Sequence, residues 1–254
     1  MNGFVNKVGE RFITNEGYEI VIVEYNNAHD LLIEFQDNYK TVVKTNYSNC
    51  VRGVISNPYH PSVLGKGYIG VGKYKTKENG KMSKCYMSWF NLLHRALGEE
   101  IKQKYQTYKD VIVNEEIYNF QKFGEWFDNN YYEVDGERMD LDKDILYKGN
   151  KEYSFDTMIF VPHRINSLFT KANNLRGDTP IGVYYRKDTG KYVAKCQTMN
   201  TKKYLGQYDT PSEAFYAYKE FKEQYIKEVA DAYKDLIPKR LYDAMYRWEV
   251  EITD

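Results

Sequence analysis

A short stretch towards the C-terminal end concentrates positive charge in a chain that is neutral as a whole. The 254 residues carry 36 Lys plus Arg and 36 Asp plus Glu. A neutral protein binds the phosphates of a nucleic acid only if its basic residues gather on one face. Residues 182–208 predict such a DNA-binding surface, with an ordinary solvated sheet as the alternative. They hold a single acid, Asp188, and six basic residues, which are Arg186, Lys187, Lys191, Lys195, Lys202 and Lys203.

Three strands and one helix are predicted to present this surface. The strand-like runs are "IGVYYR" (181–186), "KYVAKCQT" (191–198) and "KKYLGQY" (202–208), and the turns are "KDTG" and "MNT". "TPSE" (210–213) is a capping-box sequence with proline at the first helical position. An apolar face then recurs with helical spacing at Ala214, Tyr218, Phe221, Tyr225 and Val229. Pro238 is expected to end this helix, and "KRLYDAMYRW" predicts a last short one.

The same region resembles the ethylene-response-factor-type DNA-binding domain of plant proteins and phage endonucleases. The resemblance lies in "GV" at the first strand, "KY.A" in the second, "LGQYDTPSEA" and the Ala/Tyr-rich helix that follows. It implies that an outward sheet face reads the major groove of double-stranded DNA, since that groove admits a sheet. Carried over by position, the contact residues are Tyr185, Arg186, Lys195, Gln197, Lys203 and Tyr204, with Lys187 and Lys202 as further basic contacts.

A second resemblance covers the preceding segment. "LDKDILYKGNKEYSFDTMIFVPHRIN" resembles the core of HNH (ββα-metal) nucleases of phages. The resemblance implies water activated by a strand-end base, and a divalent Mg or Mn ion at the scissile phosphate. Asp142, Asp144 and Asn166 are then the expected metal ligands, and Arg164 the phosphate contact. We expect a strand ending at the acidic cluster, a Gly-Asn loop and a short helix after Ser154.

The segment departs from the nuclease pattern at the chemically important positions. Lys143 occupies the place of the general base, and an ammonium group flanked by two aspartates is a poor base. Thr157 stands where the pattern has asparagine. His163 follows a proline and is an alternative base or ligand, with a plain surface histidine as the other interpretation. Cleavage activity is therefore open, and it is weakened, altered or lost if these departures matter.

The cysteines predict neither disulfides nor zinc. Cys50, Cys85 and Cys196 are odd in number and widely spaced, which favours a reducing cytosol. The resemblance to such phage proteins implies further cysteines at the positions where this chain has Ala96, Asn114 and Met158. One thiolate cannot complete a four-ligand zinc site, so no structural zinc is expected.

The expected fold class is α+β, in three segments. Residues 1–72 read as short strands, including 17–25, 30–37 and 41–47, and predict a small SH3-like β-barrel. Residues 73–175 predict the HNH-like ββα module with flanking helices, beginning with a polar linker or hairpin tip at 73–84 and including helices near 85–101 and 114–130. Residues 176–254 form the predicted DNA-binding domain, a three-stranded antiparallel sheet packed on a long helix.

Two functional hypotheses remain open at this point. The first is a phage-type double-stranded DNA-binding protein resembling a homing-like endonuclease. The second is a catalytically inactive, nuclease-derived protein that blocks a host defence protein. The N-terminus lacks an apolar run and no stretch of about 18 apolar residues occurs, so we expect neither a signal peptide nor a membrane span, and a cytoplasmic location in a bacterial host. The sequence leaves the oligomeric state undetermined.

Overall fold

The computed structural model describes residues 5–105, 108–170 and 179–254, and the chain there is a mixed α+β protein with several small sheets. The strands are β1 (Arg11–Ile13), β2 (Glu19–Asn27), β3 (Asp30–Phe35), β4 (Val42–Thr45), β5 (Lys77–Glu78), β6 (Lys81–Met82), β7 (Ile112–Val113), β8 (Met139–Asp142), β9 (Glu152–Tyr153), β10 (Ile159–Pro162), β11 (Val183–Arg186), β12 (Lys191–Gln197) and β13 (Lys202–Tyr208). The helices are α1 (Tyr47–Arg52), α2 (Lys84–Leu97), α3 (Glu99–Lys104), α4 (Phe120–Asn130), α5 (His163–Asn166), α6 (Pro211–Ala232) and α7 (Lys239–Tyr246).

The chain divides into two compact units. The first comprises residues 1–109 and 113–127, and the second comprises residues 110–112 and 128–254. The three predicted segments stay a prediction.

An antiparallel sheet opens the first unit, in the order β1-β2-β3-β4. Apolar side chains at every second position of β2 and β3, among them Ile20, Ile22, Leu31, Ile33 and Phe35, are buried on one face. The predicted strands at 17–25, 30–37 and 41–47 are confirmed as β2, β3 and β4. β1 and β4 are edge strands, so within the described residues this sheet does not close into a barrel.

Aromatic packing organises the rest of the first unit. The Trp89 ring of α2 lies 5.3 Å from the Phe120 ring of α4, and its Nε1 donates a 2.6 Å hydrogen bond to the carbonyl of Ile117. The helix predicted over 114–130 is interrupted, because a 3-10 turn at Glu115–Tyr118 ends before Asn119. Asn119 Oδ1 accepts from the Gln121 amide at 2.9 Å, and α4 begins there.

The second unit contains a pair of antiparallel strands, β8 and β10, which form the β8–β10 hairpin, and a short helix after them. β8 pairs antiparallel with β10, with Asp142 opposite Ile159 and Asp140 opposite Val161, and α5 follows directly. The helix predicted after Ser154 is wrong. Ser154 and Thr157 close a turn through hydroxyl hydrogen bonds, and the chain then enters β10. All four residues of β10 are buried. This apolar run therefore lacks the spaced polar residues that would distinguish a helix from a half-exposed strand in the sequence.

The sheet β11-β12-β13 and helix α6 form the predicted C-terminal arrangement. The capping box is present, because Thr210 Oγ1 accepts from the Glu213 amide and the Glu213 carboxylate accepts from the Thr210 amide. Gly182 has a φ of 75°, and a Cβ there would collide with the Tyr218 ring of α6, so only glycine allows the sheet this close to the helix.

Helix α6 packs against two different structures along its length. Ala214, Phe215 and Tyr218 in its first half pack against the sheet. Ile226, Val229 and Ala230 in its second half belong to a core that includes Ile159, Val161 and Ile165 of the hairpin and α5, with Leu241 and Met245 of α7. The helix ends at Ala232, six residues before Pro238, because Tyr233 leaves the helical path with its ring buried in this shared core.

No helix among the described residues is both long enough and apolar enough to cross a membrane.

The shared core predicts that the hairpin and the sheet unfold together. Ile226 is fully buried, so Ile226→Ala should lower the free energy of unfolding by about 2–5 kcal/mol. Chemical denaturation measures this loss, and hydrogen exchange should show faster exchange in both β10 and β12. Gln224→Ala, on the exposed side of α6, is the matched control and should change stability by less than about 0.5 kcal/mol. Faster exchange confined to the hairpin would contradict the shared core.

Candidate nucleic-acid interface and hairpin site

The outward face of the β11–β13 sheet carries basic, amide and aromatic side chains. Val183 is buried against α6, and successive side chains of a strand point to opposite faces of the sheet. Tyr184 and Arg186 therefore point to the outward face. Lys195 shares the outward face, because its Nζ lies 4.8 Å from the centre of the Tyr184 ring. Tyr204 pairs with Lys195, and Lys202 pairs with Gln197. Five of the eight predicted contact residues therefore lie together on this face, namely Arg186, Lys195, Gln197, Lys202 and Tyr204.

Two predicted contact residues lie on the opposite face. Tyr185 pairs with Tyr192, and their ring centroids are 5.1 Å apart on the side that packs towards α6. Lys203 pairs with the fully buried Cys196 and points the same way, although its side chain is exposed. Lys187 follows the end of β11, in the turn. The sequence interpretation missed Tyr184, which strand alternation from the buried Val183 would have identified.

Acidic partners neutralise part of the basic set. Arg186 forms an ion pair with Asp188, with Nη2 2.8 Å from Oδ2, and Lys191 contacts Asp209. In the described part of the chain, Lys195 and Lys202 form no ion pair. Exposed pairs of this kind contribute little to stability, so a phosphate can displace Asp188 from Arg186 at small cost.

Asp142, a predicted metal ligand, serves as the cap of the turn after β8. Its Oδ1 accepts hydrogen bonds from the amides of Asp144 at 2.9 Å and Ile145 at 2.8 Å. Burial, together with the nearby charge of Asp144, raises the pKa of Asp142 to about 6. Asp144 is more exposed and lies 3.4 Å from Nζ of Lys143.

Lys143 is withdrawn from solvent. The residue is only 8% exposed, and its Nζ lies 5.9 Å from the centre of the Tyr153 ring. Its carbonyl accepts from Nδ2 of Asn150 at 2.7 Å, which also donates to the carbonyl of Glu152. Thr157 likewise stabilises the loop, donating to the Glu152 carbonyl at 2.9 Å. Both positions that depart from the nuclease pattern thus have structural contacts here.

A polar cluster that sequence reasoning missed centres on Asp140. Its Oδ2 lies 2.7 Å from Nδ1 of His163 and 3.2 Å from Nδ2 of Asn166, and its Oδ1 accepts from Nε of Arg138 at 3.0 Å. Burial would raise the pKa of Asp140, but the hydrogen bonds from these three side chains outweigh it and hold the pKa below its ordinary value. Asp140 precedes Asp142 by two residues on one strand, so alternation points both to the same face.

The tautomer of His163 follows from its neighbours. Nδ1 lies 2.7 Å from the Asp140 carboxylate and 2.6 Å from Nη2 of Arg138. A guanidinium cannot accept and an ionised carboxylate cannot donate, so one tautomer cannot satisfy both contacts. A proton on Nδ1 satisfies the contact with the Asp140 carboxylate, and the lone pair of Nε2 then lies 3.5 Å from Nη2 of Arg138.

These residues do not fit a divalent cation as they are arranged. Asn166 donates to Asp140, and within the described residues no hydrogen bond joins it to Asp142 or Asp144. The guanidinium of Arg138 and the ammonium of Lys143 already accompany Asp140 and Asp144. Within the described ranges, no three His, Cys, Asp or Glu side chains are grouped as a metal site.

Arg164 connects the hairpin to the sheet. Its Nη2 donates to Oδ1 of Asn200, in the turn between β12 and β13, at 3.3 Å. The cluster around Asp140 and the outward face of the sheet therefore belong to one compact unit joined at this turn.

Comparisons with protein-family models, with curated proteins and with solved structures found no match for this chain.

The buried carboxyl of Asp142 predicts a pH-dependent stability. Because its folded pKa of about 6 lies above the ordinary 3.8, stability falls as pH rises through this window. Asp142→Asn keeps the oxygen that accepts from the turn amides and removes the charge. We expect this variant to be more stable than the wild type above pH 7, by at most about 3 kcal/mol, with the difference vanishing below about pH 4.

Denaturation across this pH range measures the effect. Asp135→Asn, at an exposed carboxyl of the same unit, is the control and should show a pH profile parallel to the wild type. If the wild type were more stable than Asp142→Asn at pH 8, the buried charge of Asp142 would not destabilise the fold, and the prediction would be wrong.

Proposed function

We propose that the chain binds double-stranded DNA by laying the outward face of β11–β13 in the major groove. The observation that carries this proposal is the composition of that face, where Arg186, Lys195 and Lys202 lie beside Tyr184 and Tyr204. The three strands contain no acidic residue. A major groove about 12 Å wide admits a sheet, and its phosphates favour basic side chains at the rim.

The resemblance to ethylene-response-factor-type domains supports the same function. In this proposal, the hairpin and α5 are an HNH-like ββα element and the N-terminal sheet is an SH3-like element, as in phage proteins of this architecture. The antiparallel pair β8–β10 followed directly by α5, with β9 in the loop between the two strands, supports this interpretation. Arg138, His163 and Arg164 then lie where the DNA backbone can continue from the sheet, because Arg164 contacts the β12–β13 turn.

Removal of the outward basic residues tests DNA binding. The triple variant Arg186→Ala, Lys195→Ala, Lys202→Ala should weaken duplex affinity by about 100-fold or more. The slope of log K against log salt should fall in magnitude by roughly 2–3. Binding releases about one counterion for each phosphate contact, and the variant makes up to three contacts fewer. Fluorescence anisotropy with a labelled duplex measures the affinity at a series of salt concentrations, from about 50 to 200 mM, and hence also the salt slope.

A charge-matched control removes three lysines from the helical side. The variant Lys227→Ala, Lys234→Ala, Lys239→Ala changes net charge equally on α6, its C-terminal turn and α7. It should keep most of the wild-type affinity and salt slope. Equal losses in the two triple variants would show a non-specific charge effect and would contradict the proposed face.

Phosphodiester cleavage is a second candidate, favoured by the pairing of His163 with Asp140. A base needs a lone pair, and a proton on Nδ1 beside Asp140 leaves one on Nε2 of a half-exposed imidazole, 3.5 Å from Nη2 of Arg138. Arg138, beside it, can neutralise a phosphate oxygen. The alternative base, Lys143, is buried under the loop.

Nicking of a supercoiled plasmid tests this candidate in Mg²⁺, in Mn²⁺ and in a chelator. If the chain cleaves, His163→Ala should lower the rate by about 100-fold or more, while the exposed control His29→Ala should not. Asp140→Asn should also slow cleavage because it loses the charge that orients the imidazole. Absence of nicking in every condition would refute cleavage and favour a binding protein, including one that blocks a host defence protein.

A further inference from the structure

Gln197 has a side-chain amide whose orientation is determined by its surroundings. Its Nε2 donates to the carbonyl of Thr198 at 2.8 Å and to the carbonyl of Thr201 at 3.2 Å. Backbone carbonyls only accept, so the NH₂ end must face them. Both amide hydrogens are therefore used inside the protein, and Oε1, which has no donor among the described residues, is left as an acceptor.

Gln197 also lines a recess at the sheet. The recess, of about 300 Å³, is lined by Gly182, Val183, Tyr184, Lys195, Cys196, Gln197 and Lys202, of which Tyr184, Lys195, Gln197 and Lys202 face outward. Lys195 lies two residues before Gln197 on the same strand, and Lys202 is its cross-strand partner. The recess thus combines one hydrogen-bond acceptor with two flexible ammonium groups that only donate.

We infer that this recess reads a cytosine·guanine base pair, with Oε1 of Gln197 accepting from the N4 amino group of cytosine and a lysine ammonium donating to O6 or N7 of the paired guanine. In the major groove this base pair presents one amino donor beside two acceptors. A glutamine with a free amide reads adenine through both N6 and N7. Gln197 lacks that second contact because its NH₂ group is occupied by the turn.

The inference rests on the proposed binding of duplex DNA. It is tested by selecting bound sequences from a randomised duplex pool with the full chain. The wild type should select cytosine at one position with a preference of roughly tenfold or more over adenine at that position. Gln197→Met should lose this preference and leave the neighbouring positions unchanged. Gln197→Arg, which replaces an acceptor by donors, should prefer guanine there.

Two control variants separate base reading from effects on the sheet. Thr198→Ser removes a methyl group from the same turn but keeps the hydroxyl contact to the Thr201 carbonyl, so the Gln197 amide stays held and its oxygen stays in place. Gln207→Met removes an exposed amide from the adjacent strand. Both should retain the cytosine preference of the wild type.

Three results would overturn the inference. Selection of adenine at the Gln197-dependent position would show a free amide, and an unchanged sequence preference in Gln197→Met would show that the residue does not read a base. Loss of the preference in Thr198→Ser but not in Gln197→Met would assign the effect to the turn. A wild type that binds duplex no better than the Arg186, Lys195, Lys202 triple variant would overturn the proposed function itself, and this outcome is recognised before any selection.

Discussion

Burial of the second half of α6 against the β8–β10 hairpin is the interaction on which the second unit depends. Ile226, Val229 and Ala230 pack with Ile159 and Val161, while the first half of the same helix supports the β11–β13 sheet. A two-stranded hairpin is marginally stable alone, so the polar cluster around Asp140 relies on this helix. The sheet and the hairpin consequently belong to one compact unit.

Charge segregation within a neutral chain underlies the proposed DNA-binding face. The strands of the C-terminal sheet hold basic and aromatic side chains without acids, whereas α6 and α7 carry both signs. Arg164 extends the basic surface from the hairpin to the β12–β13 turn through Asn200. Around the hairpin, by contrast, carboxylates and cations compensate one another, because Asp140 faces Arg138 and Asp144 faces Lys143.

Local sequence signals predicted the C-terminal region well. The capping box at Thr210, the apolar face of α6 and the three strands depend on contacts within a few residues, and all are present. Strand β10 was not predicted, because a short, fully buried apolar run lacks periodicity. Tyr184 and Tyr185 are adjacent aromatic residues of equal appearance, and it is the burial of Val183 and the pairing of Tyr185 with Tyr192 that show Tyr184 facing outward.

The sequence by itself determined the α+β class, the position of the basic window and the candidate residues His163 and Asn166, because composition and short-range spacing specify these features. Tertiary structure alone decided their partners. Asp140, a residue without a motif of its own, receives His163 and Asn166 across 23 and 26 residues of chain. It also decided that Arg186, Lys195 and Lys202 face outward with Tyr184 whereas Lys203 does not, and that the Gln197 side chain keeps only an acceptor, since register and hydrogen-bond partners arise when distant segments pack.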